Sequence, residues 1–170
     1  LTVSVFFRGE GYAPVVVSPL FVQTMQDYMR LANIDAEVFA ATLKQYPVTE
    51  VSSAYVNDKM LEMLSAYDQD ACCKEELLKC CEMTVDALEA FADREATLIN
   101  RYQIAARKRD LTREEKSELM AIQLNSDSPL SKACAAALRG DSDMASALRA
   151  SLDEEARTTL GSWPIGRFFA

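Results

Sequence analysis

The pattern of apolar and polar positions changes near Ser18, from a period of two to a period of three or four. Residues 2–6 alternate polar and apolar side chains and are rich in β-branched types, which is typical of a strand. A glycine turn signal at 9–11 and a short apolar run at 13–17 complete a predicted β-hairpin over residues 1–17. Because two strands alone are marginally stable in water, we expect the hairpin to pack on helices or pair with another chain.

Beyond the hairpin, the spacing of apolar residues is helical. The 81 residues between Pro47 and Pro129 contain neither glycine nor proline, so long helices meet no local interruption there. Capping residues and prolines divide the chain into predicted helices, which begin at Ser18, Asp35, Thr49 or Ser52, about Ala71, Arg113, Ser128, and Asp141 or Ser142.

Two of these predicted helices are long. The fourth covers about 71–109 and would be about 58 Å long if continuous, so we expect either a break near 93–97 or a projecting helix. The last is predicted to run through Leu160 and to stop at Gly161. The predicted fold is mainly α, with six or seven helices in a bundle or irregular helical array. We expect residues 18–170 to form a single compact domain with the hairpin on one side.

Charge is distributed unevenly along a chain whose formal net charge is −8 at pH 7. Acidic residues dominate 48–95, whereas 96–116 is net positive. With 49% hydrophobic and 26% charged residues, the composition is that of a globular protein with a buried core. Because phosphate binding needs a concentrated positive field, an acidic chain of this kind is a poor default binder of nucleic acid or anionic membrane.

Cysteine usage bears on the cellular compartment. Cys72–Cys73 and Cys80–Cys81 are vicinal pairs, whose Cα atoms, about 3.8 Å apart, are closer than disulfide geometry accepts. The chain also lacks an apolar run of membrane-spanning length and a signal-peptide pattern at its start. We therefore expect a cytoplasmic or otherwise intracellular, reducing location. Because residue 1 is not methionine, we expect a processed product or a piece of a larger protein.

The sequence offers little equipment for catalysis or metal binding. It has no histidine, which is the usual general base, metal ligand and triad member. Positions seven or eight apart on one helix lie about 11–12 Å apart along the axis, so the four vicinal cysteines could hold a metal only across a helix break. We expect them to pack as small apolar residues or to contact solvent, and we expect no metal and no cofactor.

The positive segment over 101–116 is one candidate binding site. Its cations are Arg101, Arg107, Lys108, Arg109, Arg113 and Lys116. Arginine matches the geometry of phosphate oxygens, so one interpretation is contact with nucleic acid. Base stacking requires aromatic side chains, however, and only Tyr102 is aromatic here. We favour the alternative that these charges mark a helix end and its loop and balance the acidic stretch.

The apolar tail over 161–170 is the second candidate site. It carries Trp163, Phe168 and Phe169, which we expect to pack onto the core. The alternative is an anchor for a partner, since aromatic residues dominate binding hot spots. Nearby, residues 139–141 spell the integrin-recognition tripeptide Arg-Gly-Asp, but a glycine C-cap followed by an aspartate N-cap accounts for it.

Together, these patterns predict a non-catalytic protein–protein interaction module. It would be an adaptor, a regulator, a chaperone-like protein or the helical domain of a larger assembly, such as a secretion or virulence accessory or a viral nonstructural protein. The partner is another protein or a second copy of the chain, bound through the hairpin edge or the long fourth helix. The candidate partner-binding residues are Arg101, Arg107, Lys108, Arg109, Arg113, Trp163, Phe168 and Phe169. Alternatives are nucleic-acid association through 101–116 and an enzyme that depends on a carboxylate or a thiol.

Overall fold

The computed structural model describes residues 36–69 and 74–169. Within these ranges the regular elements are eight α-helices and one 3-10 helix, without a β-strand. The described part of the chain is therefore mainly α, as predicted. The predicted hairpin over 1–17, the predicted helix that begins at Ser18, and the pair Cys72–Cys73 lie outside the described residues.

The chain divides into two compact units, the first ending at Ala92 and the second beginning at Asp93. The described helices of the first unit are α1 (Ala36–Gln45), α2 (Glu50–Asp68) and α3 (Lys74–Leu88). The second unit contains α4 (Arg94–Lys108), α5 (Arg113–Asn125), α6 (Pro129–Arg139), α7 (Ser142–Ser151), α8 (Glu154–Ser162) and the 3-10 helix Pro164–Phe169. The single domain predicted over 18–170 stays a prediction, because two packing units can still unfold together.

In the first unit, α3 packs against both α1 and α2. The sequence pattern places Val51 and Tyr55 in the apolar stripe of α2, but these side chains are 76% and 38% exposed. The buried side of α2 instead runs through Ser52 and Val56. Burial of a serine is tolerated there because Thr49 and Ser52 satisfy each other's polar groups in a capping box.

Capping residues begin the helices where the sequence predicts. Thr49 caps α2, Thr112 caps α5 through a capping box with Glu115, and Ser128 precedes Pro129 at the start of α6. Asp141 caps α7, accepting a hydrogen bond from the Met144 N–H at 3.3 Å. These predictions are confirmed. The sequence could predict the caps because each one depends only on hydrogen bonds to the next few residues.

The predicted helix over 71–109 divides in two. α3 ends at Leu88 and α4 begins at Arg94, so a single continuous helix is wrong. A break is confirmed, but it covers 89–93 and meets the predicted 93–97 only at Asp93. Asp93 begins α4, because its carboxylate accepts from the N–H groups of Glu95 and Ala96 at 2.9 and 3.1 Å. Self-association through a long fourth helix therefore loses its structural basis.

The last predicted helix also divides, and its predicted end is wrong. α7 stops at Ser151, and Leu152 turns into the core, where it is buried. Asp153 then caps α8 by accepting from the Ala156 N–H at 2.7 Å. α8 continues through Gly161 to Ser162, because a glycine lowers helix stability without preventing a helix. These two divisions explain why the described residues contain more helices than the sequence predicts.

In the second unit, α6 packs against α4, α5, α7 and the 3-10 helix. The larger core cluster around it is made of Ile99, Tyr102, Leu111, Leu119, Ile122, Ala133, Cys134, Ala135, Leu138, Leu152, Leu160 and Ile165. α7 contributes Ala145, which is buried against Ala136 and Ala137 of α6. None of the helices in the described ranges combines the length and the apolar character that crossing a membrane requires.

Candidate functional site

The C-terminal 3-10 helix lies against the core of the second unit. Pro164 and Ile165 are buried, and the half-buried rings of Trp163, Phe168 and Phe169 pack against the core residues. The backbone of Gly166 also lies close to α8, because a Cβ atom at this position would meet the Leu160 carbonyl oxygen at 3.1 Å. The aromatic tail is thus packed on one side and open to solvent on the other.

Arg107 joins this segment to α4. Its guanidinium donates to the Gln103 carbonyl oxygen at 2.7 Å and, across 57 residues of sequence, to the Pro164 carbonyl oxygen at 2.9 Å. The guanidinium carbon also lies 5.2 Å from the centre of the Phe168 ring, within the range of a cation–π contact. The structure therefore brings together two candidate features that are far apart in the sequence, the positive segment and the aromatic tail.

Two further arginines complete what we call the arginine–phenylalanine patch, defined as Arg107, Arg149, Arg167, Phe168 and Phe169. The Arg167 guanidinium carbon lies 5.6 Å from the Phe168 ring centre, and that of Arg149 lies 5.8 Å from the Phe169 ring centre. Stacking on a ring does not use the in-plane N–H groups of a guanidinium, and those of Arg107 already donate to two carbonyl oxygens. The patch therefore combines partly exposed aromatic area with three positive charges.

The remaining predicted cations do not join this patch by any described contact. Arg109 forms a bidentate ion pair with Glu115, with both N–O distances at 2.7 Å. Lys108 and Arg113 are exposed at the end of α4 and the start of α5, and Arg101 is half-buried on α4. The cations of the positive segment thus differ in exposure and in the contacts that they make.

An open groove of about 540 Å³ lies between α1 and α3 in the first unit. Its carboxylates are exposed or half-buried, and Glu76 is already engaged, since it accepts from the Ala36 N–H at 2.9 Å and pairs with Lys79 at 2.7 Å. The Lys79 ammonium and the Ala36 N–H together lower the pKa of Glu76. This arrangement fixes the start of α1 on α3, and it lacks the buried carboxylate that acid–base catalysis would use.

The described cysteines are packed as small apolar residues. Cys80, Cys81 and Cys134 are free and buried, and burial raises the pKa of both Cys80 and Cys134 to about 12. A thiol with such a pKa stays protonated near neutral pH and is a poor nucleophile. Across 36–69 and 74–169, no three histidine, cysteine, aspartate or glutamate side chains come together as a candidate metal site.

The Arg-Gly-Asp tripeptide forms a junction between helices. Gly140 ends α6 in the left-handed conformation, with φ at 78°, and Asp141 caps α7. The Arg139 guanidinium donates to the Gln123 side-chain oxygen and lies 3.9 Å from the Asp141 carboxylate. The tripeptide is therefore accounted for by helix capping, as the sequence suggests.

Sequence reasoning missed Arg149 and Arg167. Arg149 lies on α7, far in sequence from both candidate features, and nothing local marks it. Arg167 adjoins Phe168, so an arginine beside an aromatic pair was an available signal. The chain matches no protein-family model, no curated protein and no solved structure.

Proposed function

We propose that this chain is a non-catalytic protein–protein interaction module that contacts its partner through the arginine–phenylalanine patch. The observation that carries the proposal is the stacking of three guanidiniums on two partly exposed rings in the second unit. Arginine and aromatic side chains are the residue types most enriched at the energetic centres of protein interfaces.

The patch is preorganised for binding, because its side chains are already held in place. Its rings are held against the core, and Arg107 is fixed by two backbone carbonyl groups, so little side-chain freedom remains to be lost on binding. Preorganised side chains bind more tightly than mobile ones of the same chemistry. A complete interface buries about 800 Å² on each partner, so the patch would be the centre of a larger contact area.

The charge of the patch specifies the chemistry of the partner. Three guanidiniums favour a segment that carries aspartate or glutamate beside an apolar residue, because the carboxylates can accept arginine N–H groups while the apolar side chain covers the rings. The chain as a whole is acidic. The repulsion between this acidic chain and an acidic partner segment is screened beyond about 8 Å at physiological salt. The close contacts at the patch are screened much less.

A random-peptide display library, selected against the full chain, tests this proposal. The enriched peptides are expected to combine acidic residues with an aromatic or aliphatic anchor. Their affinity should fall about tenfold or more for the double variant Arg149→Glu/Arg167→Glu, which reverses two patch charges. The matched control Arg94→Glu/Arg157→Glu makes the same change in net charge at exposed positions on α4 and α8.

Two outcomes would contradict the proposal. The first is a set of enriched peptides that bind the patch variant and the control variant equally well. The second is the failure of the chain to enrich any peptide over an unrelated helical protein. Far-ultraviolet circular dichroism of both variants would establish that the helices are intact before the affinities are compared.

A further inference from the structure

The outer side of α5 is a second surface, separate from the arginine–phenylalanine patch. We call it the α5 outer face and define it as Arg113, Lys116, Ser117, Met120 and Leu124. Spacings of three and four residues place these side chains on one side of the helix. Leu119 and Ile122, which are buried in the core, lie on the other side.

This face carries apolar surface that the described residues leave uncovered. Leu124 is 66% exposed, and Met120, one turn earlier, is half-buried. A single exposed leucine is ordinary, but here it continues a stripe that also carries two cations. Within the described ranges, neither Arg113 nor Lys116 forms an ion pair or a side-chain hydrogen bond.

Two of the three acidic residues of α5 are held by other partners, and the third, Glu114, is exposed. The Glu115 carboxylate is held by Arg109, and the Glu118 carboxylate accepts a hydrogen bond from the Tyr102 hydroxyl. The cations of the outer face therefore lack a counter-charge from these two residues of their own helix. Arg113 also stands at the N-terminus of α5, where the helix dipole disfavours a positive charge.

From the order of the charges along the sequence, we propose that two copies of the chain form a dimer. Their α5 outer faces pack against each other with the two helices antiparallel, about a two-fold axis near Met120. Arg113 lies seven residues before Met120 on α5, and the exposed Asp127 lies seven residues after it, in the loop that follows α5. An antiparallel pair therefore brings Arg113 of each copy to the loop that carries Asp127 of the other. It also moves each arginine to the favourable C-terminal end of the opposite helix.

The same register matches the remaining side chains. Lys116 and Leu124 are each four residues from Met120, so the aliphatic part of each lysine covers the leucine of the second copy. A parallel pair would instead place Arg113 against Arg113, and like charges in contact are destabilising. The interface is self-complementary, as two-fold symmetry requires.

The size of this face sets the strength that is expected. α5 is about 20 Å long, so a pair of such helices buries less than the roughly 1,200 Å² that marks a stable complex. The dimer should accordingly be weak and concentration-dependent. Sedimentation velocity of the full chain, from micromolar to millimolar concentration, should show the mass rising from 18.9 kDa toward twice that value.

Charge reversal tests the register of the pair. Arg113→Asp and Asp127→Arg should each raise the dissociation constant of the dimer about tenfold or more, and the double variant Arg113→Asp/Asp127→Arg should return it near the wild-type value. Leu124→Lys should also weaken the dimer. The matched reversals Arg157→Asp and Glu155→Arg, at exposed positions on α8, should leave it unchanged.

Three results would overturn the proposal. A chain that stays monomeric at millimolar concentration has no such interface. A dimer whose dissociation constant is insensitive to both single reversals uses another surface, and a double variant as weak as the single ones excludes the antiparallel register. Because the peptide selection described above depends on the patch and not on α5, either proposal can fail while the other stands.

Discussion

Arg109 and Glu115 form a bidentate ion pair across the loop between α4 and α5. The Glu115 carboxylate also accepts the Thr112 N–H at 2.7 Å, which closes the capping box of α5. The Arg109 guanidinium, assisted by this backbone hydrogen bond, lowers the pKa of Glu115 to about 2. The pair therefore stabilises the folded state only where the carboxylate is ionised.

The sign of this effect gives a prediction in pH. A carboxyl whose pKa is depressed on folding contributes fully above its unfolded pKa, near 4.3, and loses its contribution as the pH falls toward 2. Glu115→Gln should lower the free energy of unfolding by about 1–2 kcal/mol at pH 7, because solvent screens an ion pair whose arginine is half exposed. Roughly half of this difference should disappear by pH 3.

Urea unfolding at pH 7, 5 and 3 measures the difference between the wild type and Glu115→Gln. The neighbouring exposed residue provides the control, since Glu114→Gln should change the free energy of unfolding by less than about 0.5 kcal/mol. A difference between wild type and Glu115→Gln that is as large at pH 3 as at pH 7 would show that the ion pair is not its cause.

At the scale of single elements, two glycines in comparable open surroundings have opposite backbone requirements. Gly140 ends α6 with φ at 78°, whereas Gly161 lies inside α8, and a Cβ atom at either position would meet nothing within 4 Å. Backbone conformation alone therefore decides the effect of adding a methyl group. Only Gly140 occupies the left-handed region, which L-residues other than asparagine and aspartate rarely adopt.

Gly140→Ala is expected to lower the free energy of unfolding by about 1–2 kcal/mol, and Gly140→Asn by less. Gly161→Ala is expected to raise it by up to about 1 kcal/mol, because alanine favours the helix and restricts the unfolded chain. Chemical denaturation of the three variants measures both effects. Equal changes at the two positions would mean that backbone conformation does not control them.

Helix starts could be predicted from the sequence because a cap is a local event. The capping box at Thr112 and the Ser128-Pro129 start depend on four consecutive residues. The division between α7 and α8 was missed because Gly161 appeared to be the stronger signal. Asp153, followed by two glutamates, is itself a helix-start pattern, and burial of the preceding Leu152 makes it effective. That burial is a tertiary effect and is not visible in the local sequence.

The candidate site was predictable only in pieces. Arg107, Trp163, Phe168 and Phe169 could each be selected by residue type, since cations and aromatics dominate binding surfaces. Their convergence could not, because the hydrogen bond from Arg107 to Pro164 spans 57 residues and depends on how α4, α8 and the 3-10 helix pack. For the same reason Arg149 carried no signal in the sequence.

For the full chain, the property to predict is whether the two units unfold together or separately. The segment between α3 and α4, residues 89–93, is short and contains neither glycine nor proline, whereas independent domains are usually joined by flexible linkers rich in both. This favours the single domain predicted from the sequence. The chain also contains one tryptophan, Trp163, which reports on the second unit alone.

We expect Trp163 fluorescence and far-ultraviolet circular dichroism to give the same denaturation midpoint. Dichroism follows the helices of both units, so coincident curves indicate one cooperative transition. A Trp163 transition that precedes or follows the loss of helix would contradict this prediction and establish two separately unfolding units. A variant weakened only in the second unit, Gly140→Ala, provides the control, since in a single cooperative domain it shifts both curves equally.

The alanines of α6 have a consequence for how this chain tolerates change. Ala133, Ala135, Ala136 and Ala137 are buried on a helix that touches four other elements. Side chains this small let the neighbouring backbones approach closely. The distances between α6 and the elements packed on it therefore depend on the small volume of these alanines. We therefore expect side-chain volume to limit substitution at these four sites, because extra methylene groups in a close-packed interior cause strain.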